Sequence, residues 1–64
     1  MKTIRKGAKV RYIGSNELAK GAIFRVMHKS HNDVEVMFPI RYGNGEVHLD
    51  KQYVKIADVE LVEE

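Results

Sequence analysis

The sequence predicts a small all-β domain, a single barrel of five short strands. Two observations carry that expectation. Short runs rich in β-branched residues alternate apolar with polar, as half-buried strands do, and Gly or clusters of polar turn-formers punctuate them at close spacing. The length of 64 residues allows one domain spanning 1–64 and no more.

Met1 to Lys6 is basic and is expected to fray, as is the Glu63-Glu64 end. Gly7 to Gly14 is a glycine-bounded strand with Val10 and Tyr12 on one face and Lys9 and Arg11 on the other. Ser15 to Lys20 reads as a long loop, Ser15 placed to cap a single turn and Leu18 tucked inward. Gly21 to Phe38 is the stretch expected to form first and template the rest. Ala22–Lys29 is a strand, Ser30-His31-Asn32-Asp33 a tight turn, and Val34–Phe38 a strand with Val34, Val36 and Phe38 inward and Glu35 and Met37 outward. Ile23, Phe24, Val26 and Met27 do not all fit one face of a regular strand. Either a bulge sits near Phe24-Arg25 or the strand curves, and that choice decides whether Phe24 is core or contact surface.

Pro39 removes a backbone donor, so it ends the ladder or confines that end to an edge. Arg41 to Glu46 is a second turn carrying two glycines. Glu46 to Leu49 is a short strand with Val47 and Leu49 inward, and Asp50 to Ile56 is expected to be irregular or short strand. Ala57-Asp58 suits one turn of 3₁₀ helix, and Val59 to Val62 is the last strand. The expected core is Val10, Tyr12, Leu18, Ile23, Val26, Val34, Val36 and Phe38, joined by Val47, Leu49, Val54, Ile56, Val59 and Leu61.

Composition narrows the function classes. No cysteine is present, so no disulfide staples this small domain. The apolar runs fall far short of the roughly 18 residues of a membrane span, and no apolar segment follows the basic start as a signal peptide requires. A cytoplasmic protein with no membrane partner is expected. Residues 1–29 hold eight Lys/Arg against Glu17 alone, whereas residues 30–64 hold three against eight Asp/Glu. Either one face is basic and the other acidic, or strands from the two halves interleave and average the charge.

The run Gly7-Ala8-Lys9-Val10-Arg11-Tyr12-Ile13-Gly14, followed by Lys20-Gly21-Ala22-Ile23-Phe24-Arg25-Val26, is similar to the KOW motif of SH3-like barrels. In that motif a strand leads through a basic loop to a glycine with a hydrophobic residue two positions beyond it. The close, Ile56-Ala57-Asp58-Val59-Glu60-Leu61-Val62, resembles the 3₁₀ turn and final strand of such barrels. The resemblance implies an SH3-like barrel that binds RNA, ribosomal or transcription components, modified peptides or other proteins. The loop here departs from KOW sequences, with one acid and one lysine where several basic residues are usual.

Two candidate sites follow. Lys9, Arg11, Lys20, Arg25, Lys29 and Arg41, with Tyr42 to stack a base, would hold RNA or single-stranded DNA. Phe24, Met37, Tyr42 and Tyr53 would form an apolar patch for another protein. His28, His31 and His48 lack a cysteine or paired carboxylate to complete a metal site. Ser15 and Ser30 sit in turns, where capping accounts for them. The expectation is therefore a non-catalytic binding module, a protein-interaction adaptor or regulator, with nucleic-acid binding as the alternative. No cofactor, metal or small-molecule substrate is expected, and a monomer is favoured, with an open edge near Pro39 to Gly45 as a route to self-association.

Overall fold

The computed structural model describes residues 4–63 and contains six strands. These are β1 (Lys9–Tyr12), β2 (Ile23–Arg25), β3 (His28–Lys29), β4 (Asp33–Arg41), β5 (Val47–Lys55) and β6 (Val59–Glu63), with a 3₁₀ turn at Ile56–Asp58 before β6. Every pairing is antiparallel, in two three-stranded sheets ordered β2-β1-β6 and β3-β4-β5. The chain is all-β, but the expected five-stranded closed barrel is not formed, because no ladder joins the two sheets among the described residues.

The extra strand comes from a break in the expected run Ala22–Lys29. Residues 23–25 pair with β1, whereas His28 and Lys29 pair with Glu35 and Val34 of β4. Between them, the Val26 N–H donates to the Ala8 carbonyl at 2.9 Å and the Met27 N–H to the Glu35 carbonyl at 2.8 Å. The bend thus falls at Val26-Met27, later than the sequence suggested, and the strand changes sheets there. Alternation before the bend is regular. Phe24 and Val26 turn inward, while Ile23, paired with the outward Arg11, is exposed.

The second difference is the length of β5. Where 46–49 was expected as a short strand and 50–56 as an irregular stretch, residues 47–55 form a single nine-residue strand in unbroken register with β4, from Asp33 opposite Lys55 to Arg41 opposite Val47. Cross-strand pairing overrides the weak strand preference of Asp50-Lys51-Gln52. Pro39 lies inside β4, opposite Leu49, where β3 has already ended and only β5 flanks the strand. A missing N–H is tolerated at such an edge.

The core lies between the sheets. Val10, Val34 and Val36 are wholly buried, the Tyr12 and Phe38 rings meet edge-on at 5.3 Å, and Phe24 packs on Phe38 at 5.6 Å. Ile4 packs against this cluster and the Ala8 N–H donates to the Arg5 carbonyl, so the described part of the basic start is tied down. Residues 1–3 and 64 of the segments expected to fray lie outside the described residues. Leu18, Ile23, Val47 and Leu49, expected inside, are exposed, and Ala8 and Ala19 are buried instead. At Leu18 the cause is Asn16 rather than Ser15. Its Oδ1 accepts from the Leu18 N–H at 2.9 Å and its carbonyl from the Ala19 N–H at 3.1 Å, which turns Ala19 in and Leu18 out. The charge halves interleave: Arg11 of β1 meets Glu60 of β6 at 3.1 Å.

No helix among the described residues is long and apolar enough to cross a membrane. Gly21 closes the loop back onto β1, its N–H donating to the Tyr12 carbonyl at 3.1 Å, with φ +80°. That left-handed backbone costs a side-chain-bearing residue about 1–2 kcal/mol. Gly21→Ala should therefore lower the unfolding free energy by about that amount in denaturant titration. Gly43→Ala, at a turn position with ordinary φ and open space, should change it by less than about 0.5 kcal/mol.

Candidate functional site

Beyond the end of β3, β4 and β5 run on as a two-stranded arm, and the molecule measures 42 × 18 × 17 Å. Side chains alternate across such a ribbon. Val34, Val36 and Phe38 point to the core, so the odd-numbered residues of β4 and their partners share the opposite face. Glu35 stands opposite Tyr53, Met37 opposite Lys51, Pro39 opposite Leu49 and Arg41 opposite Val47. Leu49 is 60% exposed, Tyr53 53%, Val47 47% and Met37 38%. No element among the described residues covers this face beyond His28, which pairs with Glu35 and whose ring lies 6.5 Å from that of Tyr53. It is a strip of apolar side chains with Glu35 at its base, Arg41 at its tip and Lys51 between them on the edge strand β5.

The turn at the tip is held by polar contacts. The Tyr42 N–H donates to the Glu46 carbonyl at 2.8 Å and the Gly45 N–H to the Tyr42 carbonyl at 2.9 Å. Asn44 accepts from the Glu46 N–H at 3.0 Å and donates to the Glu46 carboxylate at 2.9 Å. That donation, with His48 Nε2 at 3.2 Å, holds the Glu46 carboxyl below its usual 4.5. On the core-side face, the Tyr42 hydroxyl donates to Asp50 Oδ2 and its ring meets that of His48 at 5.0 Å. The bond to Asp50, reinforced by the carboxylate's charge, raises the Tyr42 phenol above its usual 10.0.

Of the protein-binding candidates, Met37 and Tyr53 fall together on the outer face of the arm. Tyr42 sits at the tip on the other face, and Phe24 is half-buried against Phe38. Sequence reasoning missed Pro39, Val47 and Leu49 as members of the strip. The signal was present, since extending the ladder inward from the Arg41–Glu46 turn puts Val47 and Leu49 on the face of Met37.

The basic candidates divide. Lys9 stands opposite Arg25 on the outer face of the first sheet, with Arg11 two positions along β1. Arg11 is engaged by Glu60, and Arg25 Nη1 donates to the Gly7 carbonyl at 2.7 Å. Lys29 belongs to the other sheet, Lys20 to the loop before β2, and Arg41 to the arm. His28 lies beside Tyr53 and His48 beside Tyr42, and no group of three or more potential metal ligands is gathered among the described residues. An open cleft of about 380 Å³ lies between the core-side face of the arm and the 3₁₀ turn, bounded by Tyr12, Asn16, Ile40, Gln52 and Asp58. Asp58 is the one acid that lines it among the described residues, so no carboxylate pair for acid–base chemistry is assembled there.

No family model, curated protein or solved structure matches this chain.

The Tyr42–Asp50 bond has a pH consequence of one sign. A phenol whose folded pKa lies above its unfolded value contributes stability that is complete below that unfolded value and is lost as pH rises through the folded one. Spectroscopic titration should place the Tyr42 phenolate above 10.0, and Asp50→Asn should bring it down toward 10.0 with the neutral-pH fold unchanged.

Proposed function

We propose that this chain is a non-catalytic protein-interaction module that works through the outer face of its β4–β5 arm, on an open, SH3-like arrangement of two sheets. The kinship rests on the KOW-like run through Gly21, on a strand that passes from one sheet to the other at Val26-Met27, and on the 3₁₀ turn before β6. The observation that carries the functional reading is the strip itself. Met37, Pro39, Val47, Leu49 and Tyr53 neighbour one another across two paired strands, and all but the half-buried Pro39 are exposed. Contiguous apolar surface of this kind marks an interaction face, with large apolar anchors central and charges at the rim.

Nucleic-acid binding through Lys9, Arg11 and Arg25 is the second reading, favoured by their common face. It is weaker because Arg11 and Arg25 already have partners within the chain. Binding to phosphates through this face would weaken steeply with salt. A low-salt screen against RNA, single-stranded DNA and cell extract separates the readings. The expected result is protein capture that falls roughly tenfold or more in Tyr53→Ser and Leu49→Ser variants that stay folded. Salt-steep RNA binding unaffected by those variants would reverse the order of the two readings.

A further inference from the structure

The strip on the arm is complementary to itself. Glu35 and Arg41 lie on the same face of the same strand, six positions apart, one at each end of the strip. At about 3.3 Å per residue their backbones stand roughly 20 Å apart. Phe38 and its partner Asp50 mark the midpoint on the two strands. A two-fold axis through that midpoint, lying between two stacked arms and perpendicular to their strands, sets β4 antiparallel over β4 of a second copy. Glu35 of each copy then meets Arg41 of the other, and Met37 meets Pro39. On β5, Tyr53 meets Val47, and the aliphatic stem of Lys51 lies over Leu49. The Lys51 ammonium is not trapped. β5 is the edge of its sheet, so that charge reaches solvent at the rim. Turning the second copy about an axis parallel to the strands instead leaves Glu35 over β5 and Arg41 without an acid.

We propose that the partner of this face is a second copy of the same chain, in an isologous dimer whose arms stack face to face. This rests on the reading of the strip as an interaction face and names its occupant. Closed two-fold symmetry requires a self-complementary patch, and an apolar centre with opposite charges at its two ends meets that requirement. Sheets packed in this way sit about 10 Å apart with strand directions within about 30° of each other, so the side chains of the two strips interdigitate. The remaining apolar side chains are scattered over other elements, such as Ile13 after β1, Leu18 in the loop and Val62 on β6.

Charge reversal tests the geometry. Sedimentation equilibrium of the full chain from micromolar to millimolar concentration should show the 7.4 kDa monomer converting to twice that mass. Glu35→Lys and Arg41→Glu should each weaken the dimer roughly tenfold or more, because each sets like charges against one another. The double variant exchanges the two signs and should return the dissociation constant to near that of the parent chain. Leu49→Ser, at an exposed site where folding is not at stake, should also weaken it. A dimer that all these variants leave unchanged lies at another surface and overturns the proposal. So does a chain that is monomeric throughout. If that monomer captures a different protein through Tyr53 and Leu49, the interaction face survives and the second copy does not. If it captures none, both readings fall.

Discussion

The passage of the chain from one sheet to the other at Val26-Met27 is the constraint on which the rest of this structure depends. Two consecutive amides point to different sheets: the Val26 N–H is bonded to Ala8 beside β1, and the Met27 N–H to Glu35 in β4. Because Val26 is buried at that corner, the turn of direction and the core are one feature. Both sheets are small and neither covers its own inner face. The corner lays one over the other, so that Val10 and Tyr12 from one meet Val34, Val36 and Phe38 from the other. Tyr12 ties the first sheet to its own loop as well. Its hydroxyl accepts from the Asn16 N–H, and its ring fills the space in which any side chain at Gly14 would come within 2.6 Å of it.

The same corner creates the arm. β3 is only two residues long because the chain reaches β4 late, so β4 has a neighbour on both sides at Val34 and Glu35 and on one side afterwards. From Met37 outward the ribbon is held by the packing of Phe38 and Ile40 on the core, by cross-strand pairs and by the turn at its tip. A two-stranded hairpin alone is marginal in water. The contacts of Asn44 and His48 with Glu46, and of Tyr42 with Asp50, explain how the end of this one is held.

The all-β class, the polar turn at Ser30–Asp33, the 3₁₀ turn and the inward set Val34, Val36 and Phe38 were legible in the sequence, because period-2 alternation and turn residues are local signals. What was not legible depended on partners distant in the chain. Asp50-Lys51-Gln52 looks irregular in isolation and becomes strand through its register with Val36 to Phe38. Val47 and Leu49 look like core because apolar alternation tells which residues share a face but not which face is covered. Ile23 was placed inside and Phe24 left open between core and surface for the same reason, since the direction of the bend is set by Ala8 and Glu35, outside the run itself. Of the candidate interaction residues, Met37 and Tyr53 were named as members of one apolar patch with Phe24 and Tyr42. Their adjacency to Pro39, Val47 and Leu49 appears only once β5 is continuous.

That continuity bears on what the arm is built for. A ribbon on the surface of a domain ordinarily reads apolar toward the core and polar toward water. Here β4 carries Val34, Val36, Phe38 and Ile40 on one face and Met37 and Pro39 on the other, and β5 adds Val47, Leu49 and Tyr53 to that second face. This is the pattern of strands covered on both sides, whereas the described chain supplies cover on one. Stability alone does not call for it, since polar residues at Val47, Leu49 and Tyr53 would leave every core contact in place. Three charges stand on the strip: Lys51, opposite Met37 on the edge strand, and Glu35 and Arg41 at its ends. Glu35 and Arg41 bracket it symmetrically, so the layer that completes the arm must offer apolar side chains in the middle and opposite charges at the ends. The arm itself, reversed in direction, meets that description.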